Sequence, residues 1–207
     1  MERSAGILLS VSSLPSPYGI GTLGKAAYEF ADFLAAAGQK YWQLLPLGPT
    51  SYGDSPYQSF STFAGNPYFI DLDMLIEDEL LTEEEVTMRD WGSNARAVDY
   101  GKIYENRFEV LAIAKARGWE RDREEVAAFM EENKRWLGDY ALYMACKRHY
   151  GMRPWTEWPD DIRLRDTEAL AEAREKYNED VELFIYIQFL FFRQWNALRT
   201  YLHDKGI

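Results

Sequence analysis

Residues 44–68 read LLPLGPTSYGDSPYQSFSTFAGNPY, an apolar start followed by a loop dense in rings, hydroxyls and chain breakers. Tyr52, Tyr57, Phe60, Phe63 and Tyr68 supply flat faces, and Asp54 and Ser55 supply hydrogen-bonding groups among them. Gly48, Pro49, Gly53, Pro56, Gly65 and Pro67 keep a helix or a central strand from running through the stretch. Rings in this number are costly to leave in water, so the segment is not a flexible linker. A rigid aromatic loop leaving a buried strand suits a small-molecule or sugar site. A loop that tucks its rings under its own surface has the same composition, and composition alone divides the two readings evenly.

Other groups able to do chemistry are few. Asp161, Asp166 and Glu168 could pass for paired acids, but they lie in the charged run 161–178, which reads as a solvated helix. His149 and His203 lie near expected helix C-termini, where a partial positive charge is favourable. Neither is given a catalytic role. Cys146 is the only cysteine, so there is no internal disulfide and no Cys/His cluster with metal-ligand spacing. Trp155 and Trp158, in GMRPWTEWP (151–159), could be sugar platforms. Anchoring a loop is the commoner use of such tryptophans and is the preferred reading.

The formal net charge of -11 argues against a nucleic-acid partner, which needs a basic face. With a pI near 4.7, it favours a soluble cytoplasmic protein with a neutral or cationic ligand. The opening Met-Glu-Arg-Ser lacks the length of a secretory signal. The most apolar segment, 181–192, is interrupted by Glu182 and Gln188 and falls short of the roughly 20 residues that cross a bilayer. It reads as a buried helix, with no membrane partner. A length of 207 residues allows one large domain or two small ones, and 47% hydrophobic content allows a sizeable core.

The elements that must position the loop come before it. The run GILLSV (6–11) reads as a buried strand, and residues 12–24, with Pro15, Pro17, Gly19, Gly21 and Gly24, read as a loop. Residues 25–37 carry Phe30, Phe33, Leu34 and Ala37 at helical spacing, with Gly38 as C-cap. YWQLL (41–45) reads as a second buried strand closed by Pro46. Strand, helix and strand so close together make a βαβ unit with parallel strands, and ligands gather at the C-terminal ends of such strands. Both Gly/Pro-rich loops, 12–24 and 46–68, leave from that end. Helices are expected over 71–80, 99–117, 123–133, 134–150, 161–178 and 181–205, and Thr82 with Glu85 marks a capping box. Two parallel strands make a poor sheet alone, so the chain is expected to be the N-terminal part of a longer protein.

The runs SLPSPYGIGTLG (13–24), GQKYWQLLPLGPTSYGDSPYQSFSTFAGNPYFIDL (38–72) and QFLFFRQW (188–195) resemble amylomaltase. That is the bacterial 4-alpha-glucanotransferase of glycoside hydrolase family 77, a relative of the alpha-amylases. The resemblance implies an α/β fold: the N-terminal part of a (β/α)8 TIM barrel with a large, mostly helical insertion. Residues 1–50 would be the first βαβ unit and 51–70 the substrate-site loop. Residues 71–205 would be the helical insertion, ending in a barrel helix. It also implies transfer of an α-1,4-glucan segment to a new 4-hydroxyl with retention, by a carboxylate nucleophile and a second carboxylic acid. No metal or organic cofactor is implied. The family's catalytic carboxylates lie on later strands, so no catalytic residue is assigned to this chain.

What the resemblance does place here is binding. It implies that Tyr57, of GDSPYQ, packs on the sugar beside the cleavage point, that Ser55 contacts bound sugar, and that Asp54 holds the loop or meets a hydroxyl. It implies a secondary glucan-binding pair, Tyr52 and Tyr100, away from the cleft. A flat tyrosine ring matches the C–H face of a pyranose, while Ser and Asp match its rim of hydroxyls. The expected partner is an α-1,4-glucan or maltooligosaccharide, and the oligomeric state is left open. The alternatives are a non-catalytic α-glucan-binding module and an α-glucan hydrolase of the same lineage.

Overall fold

The computed structural model describes residues 3–51, 53–94 and 96–207. The chain forms two compact units, one of residues 1–118 with 190–207, the other of residues 119–189.

In the first unit, β1 (Gly6–Leu8) pairs in parallel with β2 (Tyr41–Gln43), with Gly6 opposite Tyr41 and Leu8 opposite Gln43. The main chain continues the pairing by one bond at each end, Lys40 N–H to Ala5 O at 2.8 Å and Leu9 N–H to Gln43 O at 3.1 Å. Both strands are shorter than expected. A 3-10 turn takes over at Val11–Ser13, before the apolar run is spent. Nor are they buried: Leu8 is 55% and Tyr41 62% exposed. Among the described residues the sheet has only these two strands, and a parallel pair cannot cover its own edges and faces.

Between the strands lies α1 (Lys25–Ala36), which buries Ala27, Ala31 and Leu34. The expected apolar face is shifted: Phe33 is 54% exposed, and small alanines make the seam instead. Phe30 meets the Trp42 ring edge-on at 4.8 Å. Gly38, at φ 67, ends the helix in the left-handed conformation that glycine adopts without cost. Next come α2 (Leu72–Glu77), α3 (Glu83–Thr87) and α4 (Tyr100–Gly118). Asp71 caps α2 by accepting the Met74 N–H at 3.0 Å. The expected capping box is present at α3, with Thr82 and Glu85 satisfying each other's backbone N–H.

Glu85 also accepts both Arg117 terminal nitrogens, at 2.7 and 2.6 Å. The guanidinium first, then the Thr82 N–H, draws its carboxyl down to about 2. A carboxylate with a depressed folded pKa stabilises the fold above its unfolded value, and that contribution is lost as pH falls through the folded one. Glu85→Gln therefore lowers stability at pH 7 by about 1 kcal/mol. The gap in urea midpoint from wild type should close as pH is taken from about 4.5 toward 2, and an equal gap at both ends would reject the charge argument.

The second unit is helical. It holds α5 (Arg123–Glu132), α6 (Leu137–His149), α7 (Asp160–Arg163), α8 (Thr167–Lys176) and residues 178–189 of α9 (Asn178–Asp204). The single charged helix expected over 161–178 is two. Arg165 takes φ 64, which breaks the run, and Asp166 restarts it by accepting the Glu168 and Ala169 N–H groups, both at 3.0 Å. That capping duty accounts for Asp166 without chemistry. No helix among the described residues is long and apolar enough to cross a membrane.

Residues 190–204 of α9 belong to the first unit. There Tyr201 donates to Asp32 of α1 at 2.7 Å and its ring lies 4.9 Å from that of Tyr28.

Candidate functional site

The segment 48–70 has a buried foot and a projecting tip. Residues 64–70 are buried throughout. Asn66 fixes the foot: its N–H donates to Leu47 O at 2.8 Å and its side-chain oxygen accepts the Tyr68 N–H at 3.0 Å. Gly65 presses against α9, where a Cβ would overlap the Phe191 ring, so only glycine lets the backbone come this close. Phe191 itself is buried.

The tip is closed by an antiparallel bridge between Thr50 and Ser59. Two tight turns fill it, with Asp54 N–H donating to Ser51 O and Gln58 N–H to Ser55 O, both at 3.0 Å. Asp54 adopts φ 55, a left-handed backbone that aspartate tolerates better than most residues. Tyr57 lies within the turn that Ser55 opens and is 73% exposed, so it is not a core tyrosine. The Ser55 hydroxyl accepts the Tyr57 N–H at 3.4 Å, which ties the ring's backbone to the turn. Tyr52 lies outside the described residues.

The Asp54 charge is felt at Tyr68 and Tyr100. Burial raises the Asp54 carboxyl above its usual range. Burial first, then the Asp54 charge, raises the phenols of Tyr68 and Tyr100. The two rings lie 6.3 Å apart at 49°. Asp54 thus acts electrostatically on Tyr100, the residue assigned above to the secondary pair, and shares a loop with Tyr57. Among the described residues no group of three or more His, Cys, Asp or Glu side chains is placed to hold a metal ion.

Beneath the foot lies a polar network the sequence reading did not single out. Asp71 accepts the Thr22 hydroxyl at 2.5 Å, and its backbone exchanges two bonds with the Gln194 amide, at 2.7 and 3.0 Å. Tyr18 donates to Asp73. Arg107, fully buried on α4, donates Nη1 to Ile70 O at 2.8 Å and lies over the Trp91 ring at 5.1 Å. Burial pushes its guanidinium down to about 10, against the pull of Asp71. The signal was available: Arg107 occupies a position in the stripe Ile103, Arg107, Val110, Leu111, Ala114, which is otherwise apolar.

Residues 9–207 match the family profile described as glycoside hydrolase family 77, 4-alpha-glucanotransferase. The chain is 48% identical to a 4-alpha-glucanotransferase of Clostridium butyricum over 199 residues, covering 96% of this chain and 41% of that one. It is 47% identical to one of Thermus thermophilus, covering 100% of this chain and 41% of the relative. The solved amylomaltase of Streptococcus agalactiae in complex with acarbose superposes with a TM-score of 0.97 at 40% identity, over 100% of this chain and 42% of that one. An amylomaltase of Corynebacterium glutamicum, at 17% identity and a TM-score of 0.71, shares the fold. The chain therefore spans about 41% of the length of the curated relatives it matches, and it belongs to glycoside hydrolase family 77, the 4-alpha-glucanotransferases.

Proposed function

We propose that this chain is the N-terminal part of a 4-alpha-glucanotransferase that passes α-1,4-glucan segments between maltodextrins by a retaining double displacement. The nucleophile and the acid would come from sequence beyond residue 207. This part supplies sugar-binding groups. The parallel pair β1/β2 with α1 (1–50) is read as the opening of a (β/α)8 barrel, 51–70 as the substrate loop, and 71–205 as a helical insertion ending in a barrel helix.

The observation that carries the reading is Tyr57: an exposed aromatic ring on a loop whose foot is buried and hydrogen-bonded. A ring carried by a fixed backbone can receive an apolar face with only its own rotamers left to order at binding. Ser55 and Asp54 stand within the same turns to meet hydroxyls. Tyr52 and Tyr100 are proposed as a secondary hold on longer chains, away from the cleft. Transfer rather than hydrolysis requires an acceptor sugar to outcompete water at the covalent intermediate, which aromatic platforms favour.

Incubation of the complete gene product with maltotriose tests this. Free glucose together with longer maltodextrins is the expected outcome. Reducing ends that rise in step with bonds consumed would mean hydrolysis, and glucan binding with no turnover would mean a binding module.

A further inference from the structure

The helical unit holds a cavity of about 360 Å³ that no role above uses. Its wall is mainly apolar: Trp155, Tyr143 and Trp158 supply rings, four smaller apolar side chains complete it, and Asp139, Arg163 and Arg165 supply its polar groups. The two tryptophans do different things. Trp158 is 7% exposed, donates its indole N–H to Arg153 O at 3.2 Å, and lies 5.3 Å from the Tyr143 ring. It anchors the 151–159 loop, as the commoner reading of such residues has it. Trp155 is 50% exposed, at the start of a 3-10 turn entered from Pro154. The anchor and the proline fix the turn, and the fixed turn presents the Trp155 ring at the cavity.

The charges narrow the ligand class. Arg165 donates to Asp139 at 2.9 Å, and Arg163 to Asp160 at 2.7 Å. Each guanidinium already has its carboxylate, so the rim offers hydrogen-bonding edges without an unbalanced charge to select an anion or a cation. Arg165 reaches the rim from a left-handed backbone at φ 64, a conformation unusual for arginine. A ring platform with neutral-balanced polar edges, in a cavity within the roughly 300–1,000 Å³ of small-molecule sites, suits a neutral ligand with one apolar face and a hydroxyl rim. A pyranose has that chemistry.

We propose that this cavity holds a glucosyl unit of a long α-1,4-glucan, with Trp155 as the platform and the Arg165–Asp139 pair as the hydroxyl-binding edge. This rests on the reading of the parent protein as an α-glucan transferase. Its use would be to retain long polymer on the protein between transfers, a multivalent hold that raises avidity without altering the chemistry.

The test is affinity electrophoresis of the complete gene product in native gels containing amylose, with Trp155→Ala, Trp155→Phe and wild type side by side, and maltotriose transfer measured separately on wild type. The expected result is that Trp155→Ala raises the amylose dissociation constant at least threefold while Trp155→Phe, which keeps a ring, stays nearer wild type. Melting temperatures of both variants report that each is folded. Retardation of a folded Trp155→Ala equal to that of wild type would overturn the proposal even where wild type transfers glucose normally. Absence of maltotriose transfer in wild type would instead count against the transferase reading alone.

Discussion

Tyr57→Ala in the complete enzyme should lower kcat/KM on maltotriose at least tenfold. The ring is 73% exposed, so its removal leaves the fold nearly untouched; surface changes of this kind cost within about 0.5 kcal/mol of stability. What is lost is an interface with sugar. A tyrosine brings roughly 150 Å² of surface, and a sugar covering half of it at about 25 cal/mol per Å² recovers about 2 kcal/mol, more than the 1.4 that makes a factor of ten. Tyr57→Phe should keep most of that, because the face and not the hydroxyl makes the contact. A loss seen mainly in KM would place Tyr57 in ground-state binding; equal falls in kcat and kcat/KM would place the contact in the transition state. Unchanged kinetics on maltotriose would reject the cleft assignment outright.

Much of this could be read before the structure, and the parts that could not share a cause. Local signals carried: the capping box at Thr82, the glycine stop at Gly38, the parallel pairing of two short apolar runs, and the loop whose breakers forbid regular structure. Each depends on residues a few positions apart. The misreadings depend on what lies across the fold. Apolar runs such as these predict buried strands, yet Leu8 and Tyr41 are exposed, and among the described residues no further strand covers them. Phe33 fits a helical stripe on spacing, but packing chose the alanines. Arg165 breaks a helix that charge patterning could not divide, since nothing in a run of charged residues marks which one turns left-handed.

The site followed the same rule. Its ring and hydroxyls were legible as residue types, and the family resemblance gave them tasks. Their support was not legible. Asp71, Gln194 and Arg107 stand far apart in sequence, and only folding brings them under one loop foot. The structure divides 48–70 into a buried foot and an exposed tip, a division that composition does not mark. Rings that fold inward and rings that face water both occur in it, Tyr68 among the first and Tyr57 among the second.

Arg107→Ala should be the most damaging single change to the first unit, at about 3–5 kcal/mol. It opens a cavity in the α4 stripe, removes the donor from Ile70 O, and strips Trp91 of the cation over its face. It also takes away the positive charge that Asp71 feels in a buried setting. The residue is not ideally placed, however. Among the described residues its buried Nε and Nη2 meet no hydrogen-bond partner, so the protein compensates the charge only in part for leaving water. An apolar side chain of similar length removes that burden along with the charge. Arg107→Met should therefore recover most of the loss, falling within about 2 kcal/mol of wild type, as buried ion pairs replaced by apolar groups often do. Urea unfolding of the three proteins at pH 7 decides it. If Arg107→Met proves as unstable as Arg107→Ala, volume is not the issue, and the bond to Ile70 beneath the loop foot is what holds residues 64–70 in place.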